Sequence, residues 1–293
     1  MEILLQRGVL SARVETHGGE LVSFQGASDE EYIWSGDPAY WEGRNPILFP
    51  IVGALKNGKV RIDGKEYAMN RHGFAMEKEF SVVEQGEDFV ELELCEDAET
   101  LAQYPFRFSL RVRHELTENG FCTRFTVKNP GDGTMPFCIG AHPAFRCPMK
   151  HGERFEDYRL VFDEPENAVS ILPRADGCLL CAEQGPKLEN AAAISLDHAV
   201  FDAVDTLIFE GLRSKSVRLV HRDTGRGLCM DFSDFPILAF WTMPGKNAPY
   251  ICMEPWYGCG AYVDESGDFR DKPHCVALPP RGEFSVAYGV RLI

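Results

Sequence analysis

A carboxylate is out of place among apolar neighbours, and Glu254 stands in just such a run, Tyr250-Ile-Cys-Met-Glu-Pro-Trp-Tyr-Gly258. There it must be paired or hydrogen-bonded, or desolvation raises its pKa, and in either case it is a candidate general base or acid. A second group comes from Gly140-Ala-His-Pro-Ala-Phe145, which follows an apolar stretch, Met135 to Ile139, that reads as one strand. His142 sits there between small residues and a proline that fixes the local backbone. This holds an imidazole at a strand end with space for a substrate. Asn70-Arg-His-Gly-Phe-Ala75 adds a further imidazole, His72, beside the Arg71 cation and before a glycine that permits close backbone approach. Arg44 opens the stretch Arg44-Asn-Pro-Ile-Leu-Phe-Pro-Ile-Val-Gly53, whose prolines lack N–H groups and confine it to a sheet edge or a loop. Each feature alone is compatible with plain packing: a hydrogen-bonded loop His, an Arg capping carbonyls, aromatics in a core. Together they offer a base, an acid, a second imidazole, two cations and the aromatic walls Trp256 and Tyr257. That set suits proton transfer on a polar molecule with an apolar ring face.

Other chemistries lack their motifs. There is no Gly-Lys-Ser/Thr phosphate loop, no G-x-G-x-x-G opening a helix, no H-E-x-x-H and no G-x-S-x-G. Cys178-Leu-Leu-Cys181 has zinc-like spacing but no second pair nearby, which argues against a zinc ribbon. Two His and one Glu are admissible zinc ligands, yet no motif carries ligand spacing, so the expectation is no metal and no cofactor.

The elements that must position these groups are strands. Val90, Leu92 and Leu94 alternate with Glu91 and Glu93, and Phe106, Phe108, Leu110 and Val112 alternate with polar residues. Asn119-Gly120 separates that run from Phe121, Thr123, Phe125 and Val127, which predicts a tight hairpin. A second hairpin is predicted at Asp223-Thr-Gly225, joining Val217–Val220 to Leu228–Phe232, with further turns at Gly18-Gly19, Asn57-Gly58 and Asp63-Gly64. Helical periodicity is confined to Glu99–Tyr104, stopped by Pro105, and to Ser195–Val204. Evenly spread glycines and prolines, with no linker and no repeat, point to one domain over residues 1–293. The expected fold is all-β: a large antiparallel β-sandwich with few short helices.

Composition limits the partners. The chain has 293 residues, 44% hydrophobic and 26% charged, enough for a sizeable core. Thirty Lys plus Arg against 45 Asp plus Glu give a net charge of −15, which repels phosphate backbones and anionic headgroups. Neither nucleic acid nor a membrane is therefore an expected partner. No apolar run approaches the roughly 18 residues of a membrane helix, and the N-terminus does not read as a secretion signal. Ten cysteines without an export signal read as reduced thiols, and the expected location is cytoplasmic. The oligomeric state is left open.

Taken as an ordered set, the blocks at 44–53, 71–75, 140–145, Asp205-Thr-Leu-Ile-Phe209, Trp241-Thr and 251–258 resemble the aldose 1-epimerase (galactose mutarotase-like) family, and within it the LacX-type branch. The resemblance runs over almost the whole chain and implies the galactose mutarotase-like supersandwich. It also implies interconversion of the α and β anomers of a free hexose, or of a hexose phosphate, without metal or cofactor. In that chemistry a base takes the proton of the anomeric O1 hydroxyl while an acid protonates ring oxygen O5. The ring opens, C1–C2 rotates, and reverse transfers close it on the other face. By resemblance Glu254 is the base and His142 the acid, and His72, Arg71, Asp205 and Arg44 are substrate-binding. Trp241 and Trp256 would contact the sugar as aromatic walls. Asp202 lies near enough in sequence to compete with Asp205. Pro143-Ala-Phe145 departs from the galactose-specific branch, so galactose specificity is not implied. The phosphate-specific branch has a run of Arg where this chain has only Arg44, which does not favour a sugar phosphate. Two rival readings remain at this stage: a non-catalytic carbohydrate-binding sandwich or sugar sensor, and a glycoside hydrolase using Asp205 as its second carboxylate.

Overall fold

The computed structural model describes residues 1–27, 30–180 and 185–293. Antiparallel strands dominate it, as the alternation requires. A nine-stranded sheet runs, in spatial order, through Lys187–Ser195, Tyr158–Val169, Ser216–His221, Gly227–Asp231, Glu283–Leu292, Gly120–Lys128, Ser109–Leu116, Phe89–Cys95 and Ser81–Gln85. A second sheet is ordered Thr206–Glu210, Ile237–Trp241, Tyr250–Tyr257, Ile139–Ala141 and Ile47–Leu48, and Ala144–Arg146 also pairs with Tyr250–Tyr257. The three N-terminal strands form a small sheet of their own. One apolar cluster extends from Ile3 to Val290 and takes side chains from all three sheets, which makes the architecture a β-sandwich.

The predicted hairpins are present. Leu116 pairs with Phe121 across Asn119-Gly120, and the N–H of Thr117 donates to Gly120 O at 2.8 Å. Val220 pairs with Gly227 across the second turn, where Gly225 donates to His221 O. The first predicted helix is Ala98–Gln103, started by Asp97, whose carboxylate accepts from Thr100 N–H while the Thr100 hydroxyl accepts from Asp97 N–H. The second is shorter than expected. Ser195 belongs to the preceding strand, and the helix begins at His198 after the Asp197 cap.

Met135 to Ile139 is not one strand. Met135–Phe137 pairs with Val276–Leu278, Ile139–Ala141 joins the second sheet, and the chain changes partners at Cys138, whose N–H donates to Pro50 O. An apolar run buried on both faces carries no period to mark such a switch.

The strand Tyr250–Tyr257 is the spine of the site. It is central to its sheet and buried from Tyr250 to Trp256, with Cys252, Glu254 and Trp256 on one face. On one side Ala239 opposes Glu254. On the other, Gly140 opposes Trp256 and Ala144 opposes Cys252, and between them the neighbouring strand is broken at His142-Pro143. Pro143 has no N–H to give to a ladder, so the break falls beside Glu254.

Candidate active site

A cavity of about 470 Å³ opens over this break, lined among others by His142, Glu254, Trp256, Trp241, His72 and Asp205. His142 Nε2 lies 3.1 Å from Glu254 Oε2. The Glu254 side chain is 1% exposed and that of His142 10%. The two are in contact but out of hydrogen-bonding alignment, since Glu254 Oε2 has no partner. Five buried side-chain polar atoms among the described residues lack a partner, and three belong to cavity-lining groups: Glu254 Oε2, His142 Nδ1 and Trp256 Nε1. Native proteins rarely leave such atoms unsatisfied without a reason. A floor with unspent donors and acceptors fits a guest rich in hydroxyls.

Burial acts on both members of the pair by disfavouring charge. It drives the Glu254 carboxyl well above the usual carboxylate range, with the Trp256 indole opposing and the Asp205 charge adding to the rise. It drives His142 down to about 3, its own backbone opposing and the Arg71 charge adding to the fall. Between these two displaced values the pair is net neutral and carries one titratable proton between a carboxyl and an imidazole in contact.

His72 is held by the stretch that precedes it in sequence. Its N–H donates to Gly53 O at 2.9 Å, its carbonyl accepts from Phe49 N–H, and its Nδ1 accepts from Gly53 N–H at 3.1 Å. With Nδ1 accepting, the ring proton sits on Nε2, free to donate. Desolvation, reinforced by His142 and Arg71, pushes its pKa well below the ordinary imidazole value and keeps it neutral. Gly73 makes this geometry accessible, because a β carbon there would lie 2.3 Å from Phe49 O. His72 (φ 69°) and Asp205 (φ 64°) both adopt left-handed backbone conformations that non-glycine residues seldom take, and both line the cavity. Such conformations concentrate at functional sites.

Asp205 caps the end of the helix His198–Val204, is exposed, and accepts from the Thr206 hydroxyl through Oδ1 at 2.7 Å. Asp202 is engaged elsewhere, accepting from Gly245 N–H at 2.6 Å, so the geometry favours Asp205 over it as the cavity carboxylate. Arg71 lies along the backbone of Gly177 and has no hydrogen-bond or ion-pair partner among the described residues. Trp241 stands edge-on to His142, with ring centroids 5.6 Å apart.

Two expected site residues lie outside the cavity. Tyr257 packs against Phe284, with ring centroids 5.0 Å apart. Arg44 does not line the cavity either; its Nε donates to Ser35 O at 3.0 Å and its Nη1 lies 3.5 Å from Glu15. What its stretch gives the site is backbone: Arg44 O accepts from Ala144 N–H and Pro46 O from His142 N–H. These bonds hold the broken strand on either side of Pro143.

Trp41 and Arg174 line the cavity without having been anticipated. Trp41 packs against His142 at 4.9 Å and against Trp241 at 5.2 Å. It comes from an irregular loop with no periodicity to mark it. Arg174, 3.5 Å from Asp176, belongs to a turn that closes through Gly177 N–H to Arg174 O. The described cysteines are all free thiols, as expected; Cys181 of the Cys178-Leu-Leu-Cys181 pair lies outside the described residues. Among the described residues no helix is long and apolar enough to cross a membrane.

Over residues 1–287 the chain matches the family described as aldose 1-epimerase, and it belongs to that family. It is 36% identical over 302 residues to the plasmid-encoded Protein LacX of Lactococcus lactis subsp. lactis, and equally to the chromosomal one, with both chains covered in full. Among solved structures it is similar to a galactose mutarotase related enzyme from Lactobacillus acidophilus, with TM-score 0.94 and 31% identity, covering 100% of this chain and 97% of that one. A galactose mutarotase-like protein from Lactobacillus casei ATCC 334 gives TM-score 0.91 and 28% identity, with both chains covered in full.

Proposed function

We propose that this protein is a mutarotase that interconverts the α and β anomers of a free hexose by general acid–base ring opening and reclosure. The observation that carries the reading is the contact of His142 Nε2 with Glu254 Oε2 at 3.1 Å on a floor of unpartnered polar atoms. Ring opening removes a proton from O1 and delivers one to O5, so the reaction needs one base, one acid and no net proton. A pair that holds one proton supplies both. In the reacting form Glu254 carries the negative charge and His142 the proton. Glu254 accepts from O1–H as His142 protonates O5, and reclosure returns both protons. His72 donates through Nε2–H to the oxygen on which charge builds, and Arg71 and Asp205 bind hydroxyls. Trp241, Trp256 and Trp41 cover the ring faces. All of these groups are side chains of this chain, so the scheme calls on no metal or cofactor.

The test is anomer-exchange NMR on glucose, galactose, their 6-phosphates and less common hexoses. Exchange above the buffer rate for any of them supports the enzyme. Binding without exchange would turn the reading to a sugar sensor, and release of a sugar from a disaccharide would turn it to a hydrolase.

A further inference from the structure

We propose that His142, Cys252 and Glu254 form a binding site for one soft divalent cation of the zinc class, filled in place of the sugar. Cys252 and Glu254 are two residues apart on one face of a buried strand, and Ala144, two residues beyond His142, opposes Cys252. One ligand atom from each of the three residues falls within 4.8 Å of the other two, and all three residues are buried. Tetrahedral zinc with bonds of about 2.0–2.3 Å holds its ligand atoms about 3.3–3.7 Å apart. The imidazole–carboxylate separation of 3.1 Å is already near that spacing. Glu254 Oε2 is buried without a partner, so a ligand lone pair is present and unused.

Charge and softness agree. A thiolate and a carboxylate neutralise a divalent cation, which leaves the complex uncharged among three buried residues, where a net charge is costly. Thiolate with imidazole selects zinc-like ions over magnesium or calcium, which prefer oxygen ligands. Binding displaces the thiol proton and the carboxyl proton into solvent, so affinity rises with pH. Three protein ligands leave a fourth position open, as at zinc sites that bind small molecules. The cation would occupy the lone pairs that proton transfer requires. This last step rests on the proposed function, and it makes zinc an inhibitor competing with sugar.

The experiment titrates the reduced protein with cobalt(II), following the near-ultraviolet thiolate-to-cobalt absorption, and then displaces cobalt with zinc. Wild type should take up one equivalent and show the thiolate band. Cys252→Ala and the more isosteric Cys252→Ser should both lose the band and bind zinc at least about 100-fold more weakly, since loss of even an outer-shell partner costs 10- to 100-fold. Glu254→Gln should keep the band with weakened affinity. In the Cys252 variants metal-free anomer exchange should stay within about two-fold of wild type while inhibition by zinc disappears. No thiolate band in wild type, or a band that persists in both Cys252 variants, overturns the site. If no hexose shows exchange, the mutarotase reading fails while the cobalt titration still decides this one.

Discussion

His142 and Glu254 face each other in register where the strand beside Tyr250–Tyr257 breaks at Pro143. Gly140 opposes Trp256 and Ala144 opposes Cys252, so position 142 falls opposite position 254 by the antiparallel count. The pair is thus framed by two rungs of a sheet, with Glu254 on its central strand and His142 in the two-residue break beside it, and groups held by packed strands keep their spacing better than groups on long loops. The proline that interrupts the ladder is what leaves the cavity open above the pair.

Glu254→Gln should fold, keep much of its sugar affinity and lose about 10²- to 10⁴-fold in exchange rate, the usual contribution of a general acid or base. It should also raise the melting temperature at neutral pH. A carboxyl whose folded pKa is raised contributes stability that is present below its unfolded value near 4.5 and lost as pH rises toward the folded value. Gln does not titrate and escapes that loss. The gain should therefore be largest near pH 7 and shrink toward pH 4. Wild-type exchange in this variant would move the base to Asp205.

The pH dependence of kcat/KM separates a shared proton from two independent groups. Independent side chains at ordinary values would give limbs near 4.3 and 6.5. With His142 depressed to about 3 and Glu254 raised well above the usual carboxylate range, the acid limb should fall near pH 3 and the alkaline limb well above that range. The acid limb then reports protonation of His142, and the alkaline limb loss of the carboxyl proton. His142→Asn should remove the acid limb and cost a loss similar to that of Glu254→Gln. The double variant should fall well short of the product of the two losses, because the residues act as a unit. A narrow bell centred between pH 4 and 7 would contradict the shared proton.

Alternation made the nine-stranded sheet legible in sequence, because one face of each strand is polar: Val90, Leu92 and Leu94 point inward with glutamates between them. The same rule fails for Met135 to Ile139 and for Tyr250 to Trp256, where both faces are buried and no period survives. Glu254 and His142 were visible as chemistry out of keeping with their neighbours. Arg44 was visible too but misled, since residue type does not reveal that its backbone, not its guanidinium, serves the site. Trp41 carried no signal at all. Its place against His142 is set by the Trp34 indole, which donates to Trp41 O at 2.9 Å, and by a glycine two residues on.

That glycine supplies a probe. A β carbon at Gly43 would lie 2.3 Å from the Trp41 ring, so Gly43→Ala must push the indole off His142 without removing it. Both Gly43→Ala and Trp41→Ala should lower exchange by about 10-fold, while Trp41→Phe keeps most of it. A displaced positioning group costs that much or more when the reacting atoms shift by about 1 Å. The loss should fall on kcat more than on KM if Trp41 steadies His142, and on KM alone if it only covers the sugar.

Chelation is expected to leave exchange unchanged, because both proton-transfer groups are side chains. Dialysis against a strong chelator followed by anomer-exchange NMR decides it. Loss of turnover restored by zinc would reassign His142, Cys252 and Glu254 from an inhibitory site to a catalytic one.

The two arginines should part company. Arg71 lines the cavity with no partner of its own among the described residues, whereas Arg44 lies outside it with its guanidinium on Ser35 O and near Glu15. Arg71→Ala should raise KM about 10-fold or more, since a hydrogen bond to a charged group contributes roughly 1.5–3 kcal/mol. It should also let His142 titrate slightly higher, because the Arg71 charge is one cause of its depression. Arg44→Ala keeps the carbonyl that holds Ala144 and removes only exposed side-chain bonds, which seldom contribute more than about 1 kcal/mol. Its KM should stay within about two-fold of wild type. Initial-rate anomer exchange over a range of sugar concentrations reads both variants, and a large KM rise in Arg44→Ala would return that residue to the site.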